Sequence, residues 1–413
     1  MPCSCLADIL RYPEAARPAV LEGKWLGQDD HRALAAAEPT SVLEGGAEAL
    51  AEMPSWVAWH ARRHPAGAAI GFLSYELARF LETLPLVPAD SLPDLSFAYY
   101  PRLEEFPFQG LALDKTPATG PQDAHGCFNE RSFTQGVRKI REYIAAGDIY
   151  QANLTQRVTV RLDGLRPETI YQRLRGGRAP FRAFLKSPRE TIISDSPERF
   201  FRVSCGRILA SPIKGTIARS RDATEDRRRM AQLLASSKDR AENVMIVDLL
   251  RNDLGRICRY ESIQARLWEV EPLPHLFHLV SHVQGTLRPE VGLVEILRAL
   301  FPCGSITGAP KIRAMEILAE IEEQPRWISM GAIGIIRGAP GTDRFEMDFN
   351  VAIRTMTVHD AIAVFNVGGG IVYDSEPRAE FEEMRLKAQP LLEALGVGAL
   401  PEPRAVEACA LEN

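Results

Sequence analysis

Apolar positions recur with two periods along this chain. From Asn129 onward, Phe133, Val137, Ile140 and Ile144 fall at helical spacing, and Gly147 offers a stop. Runs rich in β-branched and aromatic residues then predict strands over 149–160, 181–185, 191–194, 200–203 and 208–213. A long helical stretch covers 225–254, with a break into two helices near Ser236 and Ser237. Further strands are predicted over 263–270, 276–285, 328–336, 345–356 and 361–367, and a last helix over 377–395. Before Asn129 the pattern is weaker: a helix over 47–64 and a strand over 68–73. Seven of the 29 prolines lie between Pro85 and Pro121, which predicts a connector with little regular structure. No internal repeat or low-complexity tract interrupts the chain.

Strands come in runs rather than in strict alternation with helices. This predicts an α+β fold with two mainly antiparallel sheet layers flanked by helices, not a doubly wound parallel sheet. The chain divides into an N-terminal region (1–125) that joins the same fold, a strongly patterned region (126–398) and a tail (399–413).

Composition narrows the class. Of 413 residues, 46% are hydrophobic and 25% charged, which is globular and not disordered. A net charge of −5 leaves no basic excess for nucleic acid or an anionic membrane surface. No apolar run approaches the ~18 residues that span a bilayer. The first residues lack a basic segment followed by an apolar stretch, and the seven cysteines contain no C-x-x-C pair. The expectation is a reduced, cytoplasmic protein without a disulfide framework or zinc cluster. Only eight of the 49 basic side chains are lysines, so each poses a question: why not arginine?

Four units could carry chemistry. Glu380, Glu383 and Lys387 share one face of the last helix. Elsewhere such a trio is a solvated face, but here Gly368-Gly369-Gly370 precedes it, and three glycines suit a main chain that a ligand approaches closely. Their spacing is not a dinucleotide fingerprint. On the helix over 225–254, Val244, Val247, Leu250 and Leu254 form an apolar stripe. Glu242 lies off that stripe, and beside Glu380 and Glu383 it would complete an oxygen-rich set for Mg²⁺. The loop Cys303-Gly304-Ser305-Ile306-Thr307-Gly308 precedes a helix opened by Pro310 and Lys311, an arrangement suited to anions. No contact can be assigned to Lys311. Finally, Glu198 and Lys214 border strands as a candidate general acid and a candidate nucleophile; the lysine would need its pKa lowered. Gln151, Asn153, His278 and Arg354 are polar strand residues.

Taken in order, the segments IYQANLTQR, SPERF, PIKGT, ENVMIVDLLRNDLGR, HLVSHVQGTL, GSITGAPKIRAMEIL, GAIGII, DFNVAIRT, VGGGIVYDSEP and EFEEMRLKA resemble the chorismate-utilising enzymes. The resemblance covers about 129–395 and extends loosely to GFLSYELARFLE. It implies an active site between the two sheet layers, with chorismate bound alongside Mg²⁺. By that resemblance Glu242 and Glu383 are metal ligands, with Glu380 direct or through water. Arg354 and Lys387 hold substrate carboxylates, while Ser305, Thr307 and Gly368 to Gly370 supply donors. His278 lies near the leaving hydroxyl, and Glu198 protonates it. Gln151 stands where hydroxylating members carry a water-activating lysine. Lys214 stands where anthranilate synthases usually carry alanine, and is similar to the branch that aminates chorismate at C4. The implied reaction gives 4-amino-4-deoxychorismate, on the way to 4-aminobenzoate and folate. Amination at C2 to anthranilate is the alternative, and a non-catalytic chorismate- or tryptophan-binding regulator a remote one. Ile335 stands where members often have an aromatic, which implies different packing on the substrate. No G-x-C-x-G glutaminase pattern exists, so ammonia would come from a separate glutamine amidotransferase or from solution.

Overall fold

The computed structural model describes residues 6–27, 32–87, 92–107, 124–126, 129–175, 179–273, 276–322, 324–339 and 344–398. The tail (399–413) and much of the 85–121 stretch lie outside the described residues. Two ten-stranded antiparallel sheets pack face to face. The first runs Gly308–Ala309, Gln151–Arg161, Ile362–Ile371, Thr355–His359, Thr191–Ser196, Phe181–Lys186, Ala19–Gly23, Arg32–Ala36, Glu104–Pro107, with Ala124–Gly126 beside Gln151–Arg161. The second runs Ile213–Ala218, Leu276–Thr286, Arg207–Ser211, Arg199–Ser204, Phe345–Val351, Ala332–Gly338, Ala68–Leu73, Leu95–Tyr100, Ser41–Gly45, with Gln264–Pro272 beside Leu276–Thr286. Strands from the first hundred residues thus pair with strands of the patterned region in both sheets.

Three large apolar cores follow from this layering, with a small fourth cluster at Leu233, Phe277 and Leu279. One lies between the sheets and joins Leu21, Trp25 and Phe181 to Ile70, Phe72 and Ile333. Ile335 is fully buried in it, packed within this inter-sheet core. The other two lie under helices that cover the outer faces. Ala47–Arg63, Ser237–Gly255 and Leu293–Leu300 shield the second sheet. Glu130–Ala146, Pro167–Leu174, Lys311–Ile321 and Pro377–Leu395 shield the first.

Local signals set several boundaries. Asn129 accepts from Ser132 N at 2.8 Å, Ser132 Oγ accepts from Asn129 N at 2.9 Å, and Gly147 closes the helix at φ +85°. The long helical stretch breaks where expected: Ala223–Ala235 ends, and Ser236 caps Ser237–Gly255 by accepting from Asp239 N. On that second helix the buried stripe is Asn243, Ile246, Val247, Leu250, Asp253 and Leu254, while Val244 is only partly covered.

Four expectations need correction. The proline-rich stretch contains a fully buried strand, Leu95–Tyr100, and an edge strand, Glu104–Pro107. The strand predicted over 208–213 ends at Ser211, and Ile213–Ala218 continues after Pro212, which has no N–H to give a ladder. The strand predicted over 345–356 is two strands in different sheets, joined through Arg354 at φ +48°. The strand predicted over 328–336 starts only at Ala332, because Trp327 and Met330 take positive φ in the preceding turn.

A buried ion network ties the first sheet to the Pro167–Leu174 helix. Arg175 and Arg182 both pair with Glu22, Arg182 Nε lies 3.0 Å from Asp195 Oδ1, and Tyr171 Oη donates to Glu22 Oε2 at 2.5 Å. Removing one partner from such a network strands buried charge. Glu22→Ala is therefore expected to lose about 3–5 kcal/mol of stability, read as a lower denaturant midpoint. A loss under about 1 kcal/mol, the size of an exposed pair, would contradict this.

Candidate active site

The chain passes from one sheet to the other between Ser196 and Arg199, and Glu198 sits at this crossing. Its backbone is fixed on both sides: Val351 N donates to Glu198 O at 3.0 Å, and Glu198 N donates to Ser196 Oγ at 3.2 Å. The carboxyl is buried, and Ser305 Oγ donates to its Oε1 at 2.9 Å. Burial pushes it up to about 7, against the opposing pull of the Ser305 hydroxyl, the Lys214 charge and the Ile213 amide. It can therefore hold a proton near neutrality.

Lys214 faces the same space. Between Ile213 and Thr216 the pairing with Leu276–Thr286 slips by a bulge. Gly215 supplies the required left-handed turn at φ +91°, and a side chain there would press on Asp239 at 3.0 Å. Bulges re-aim neighbouring side chains, here Lys214. Burial holds its amine below the ordinary lysine range; Glu242 and Glu198 oppose this, and Lys387 adds to the fall. An ideal Cβ on Gly370 would lie 3.5 Å from Lys214 Nζ and 2.4 Å from Gln151 Nε2. Gln151 is fully buried, and among the described residues neither its amide oxygen nor its side-chain nitrogen has a partner.

Across the ladder, Thr216 pairs with His278, and Thr216 Oγ1 lies 2.8 Å from His278 Nδ1. Burial and then the Arg354 charge lower His278 to about 4, so the imidazole is neutral near pH 7. Its Nε2 is buried without a partner among the described residues. Arg354 occupies the second crossing between the sheets, where its backbone oxygen accepts from Asp195 N at 3.0 Å.

The Pro377–Leu395 helix brings acids to the edge of this space. Ser375 Oγ donates to Glu380 Oε1 at 2.6 Å. Lys387 Nζ pairs with Glu383 Oε1 at 2.8 Å and donates to Gly368 O at 3.3 Å. Burial raises Glu380, and the Glu383 charge raises it further. Burial also acts upward on Glu383, but Lys387, Lys238 and Lys214 together bring it below its usual value. Among the described residues no three acidic, histidine or cysteine side chains converge as a finished metal-ligand set. The donor chemistry nevertheless fits a hard cation. Glu380 and Glu383 disfavour each other's charge, and both keep carboxylate oxygens that Mg²⁺ prefers. Glu242, on the Ser237–Gly255 helix, faces the same lysine.

Two expected roles change on inspection. Thr307 is buried, but its hydroxyl donates to Cys303 O and Gly304 O, so its donor is spent inside the loop. A Cβ on Gly368 would meet Leu154 O at 1.9 Å, so that glycine serves strand packing rather than a ligand. Gly369 and Gly370 leave room beside Lys387 and Gln151, respectively. Sequence reasoning missed Thr216, Ser375 and Lys238. The first two were readable as the hydroxyl residues of PIKGT and DSEP; Lys238 had no signal beyond its helix.

The chain matches the chorismate binding enzyme family over residues 25–393, and it belongs to that family. It is 36% identical over 360 residues to aminodeoxychorismate synthase component 1 of Escherichia coli, covering 80% of this chain and 77% of that protein. It is 35% identical over 407 residues to anthranilate synthase component 1 of Streptomyces coelicolor, covering 87% and 77%. Anthranilate synthase component I of Streptococcus pneumoniae superposes with a TM-score of 0.76 at 28% identity, covering 87% of this chain and 92% of that one.

The two strand glycines separate fold from site. Gly368→Ala collides with backbone and is expected to cost about 1–3 kcal/mol or more, as overpacking does. Gly370→Ala meets only the end of Gln151, so it should melt like the parent yet bind chorismate more weakly by calorimetry. Equal binding by the Gly370 variant would remove that residue from the site.

Proposed function

We propose that this protein converts chorismate and ammonia to 4-amino-4-deoxychorismate, with ammonia delivered by a separate glutamine amidotransferase in the cytoplasm. The observation that carries this reading is the pairing of a lysine amine held below its ordinary basicity with a carboxyl that titrates at about 7. Such a pair suits a neutral nucleophile beside a protonated acid. The relatives named aminodeoxychorismate synthase support the same product.

In the first step, Lys214 Nζ forms a bond to C2 of chorismate, both ring double bonds shift (C1=C2 to C1=C6 and C5=C6 to C4=C5), and the C4–O bond breaks. Glu198 gives its proton to the departing hydroxyl, which leaves as water. In the second step, ammonia forms a bond to C4, both double bonds shift back, and the C2–N bond breaks, freeing the lysine amine. The proton shed by the new nitrogen returns to Glu198. Arginine cannot replace Lys214 here, because it stays protonated. Neutral His278 and Gln151 orient the reacting edge through their unpartnered buried nitrogens, and Gln151 lacks the basic nitrogen that would activate water. Arg354 and Lys387 hold the substrate's carboxylates. Glu242 and Glu383, with Glu380 direct or through water, would hold Mg²⁺. When bound, that ion would neutralise the ring carboxylate and draw electron density from the diene.

The test is purified protein with chorismate, Mg²⁺ and ammonium, products read by mass. Lys214→Ala is expected to lose nearly all aminodeoxychorismate formation; unchanged turnover would sink the adduct. Anthranilate with released pyruvate as the main product would replace this reading with the C2-aminating one. Glu198→Gln is expected to lose about 10²–10⁴ in kcat. Because the acid must start protonated, activity is expected to fall as pH rises through about 7. Ser305→Ala removes a donor that favours the carboxylate, so it should move this limb to higher pH; a limb that stays in place would remove Glu198 as its source.

A further inference from the structure

The loop 301–310 presents Ser305 to Glu198, and a side chain just beyond it fixes its ends. Lys311 stands at its far end and turns back to its beginning. Its ammonium lies 2.8 Å from Leu300 O and 3.5 Å from Ala299 O, the closing carbonyls of the Leu293–Leu300 helix. The same nitrogen lies 2.9 Å from Asp253 Oδ2, on the Ser237–Gly255 helix that also carries Glu242. Both side chains of this pair are largely buried, at 13% and 7% exposure. Leu249, one helical turn before Asp253, packs so closely on the loop that a Cβ on Gly304 would meet it at 2.5 Å. On the inner side Arg326 donates to Ile306 O at 2.9 Å and to Asn153 O at 2.6 Å.

We infer that Lys311 is a positioning residue for the reaction: by joining both ends of the 301–310 loop to Asp253, it holds Ser305 at hydrogen-bond distance from Glu198. Three acceptors converge on one point, which suits a compact ammonium and not a planar guanidinium. The helix-end carbonyls carry partial negative charge and favour a cation there. The groups facing Glu198 itself are Ser305, Lys214, the Ile213 amide and the Cys303 thiol; of these the loop carries Ser305 and Cys303, so displacement of the loop acts on the acid through those two.

This inference rests on Glu198 being the acid, and its test keeps the two apart. Lys311→Met and Lys311→Arg are assayed for kcat, chorismate KM and pH profile beside Ser305→Ala, with melting curves to confirm folding. Expected is a fall of about tenfold or more in kcat with KM within about threefold. The alkaline limb should move upward as it does in Ser305→Ala. Asp253→Asn, which keeps an acceptor, should shift both readouts the same way by less, and it decides the matter should the Lys311 variants fail to fold. Folded variants with parental kcat, or with a raised KM alone, overturn the inference. If Ser305→Ala leaves the limb in place, the acid reading fails instead, and the kcat–KM split alone decides the role of Lys311.

Discussion

The whole arrangement depends on one constraint: an amine and a carboxyl share a space too dry to favour either charge. In water the two would form an ion pair, and neither would be useful. Burial disfavours the charged form of each, lowering Lys214 and raising Glu198 to about 7. Each still supports the other's charge, so the balance is set by how completely water is excluded. Lys387 tips it toward the neutral amine, and Glu242 tips it back. Any substrate dianion or cation that enters will move this balance, which makes the pair sensitive to occupancy.

The fold meets the constraint by placing reactive groups where the chain changes sheets. Glu198 and Arg354 both lie at such crossings, each pinned by backbone hydrogen bonds to a strand end. A crossing is buried like a strand but free of the ladder's strict alternation, so a polar side chain can point into the gap between layers. The buried Glu22–Arg182–Asp195 network stands directly behind the second crossing, because Asp195 N donates to Arg354 O. Its rigidity is therefore useful at the site and not only to the first sheet.

This division explains what could be read from sequence. Helices with chemical end signals were legible: Asn129 and Gly147, the Ser236 break, and the helix from Pro377 to Leu395 all fall where caps and period place them. The residues of the site were legible as motifs, but not their partners. Strand ends at crossings were poorly legible, since the apolar pattern of 345–356 runs on through a change of sheet that only the positive φ of Arg354 reveals. Leu95–Tyr100 was hidden because prolines on both sides signalled a connector while every strand position is buried. Likewise Ala19–Gly23 is covered at all five positions and so lacks the alternation that marks a half-buried strand.

The scarcity of lysine acquires a physical reading at three positions. Arginine serves where a planar fork can meet a carboxylate, as Arg79 and Arg199 do with Asp94 and Asp348. Lys387 instead reaches a carboxylate and a backbone oxygen at once, from the helix face beside Gly369. Lys311 meets two helix-end carbonyls and an aspartate at a single point. Lys214 differs in kind, since what it offers is an amine that can lose its proton. In a chain where arginine is the default cation, lysine at these places marks either a convergence of acceptors or a need for neutrality. Only the second can be a nucleophile.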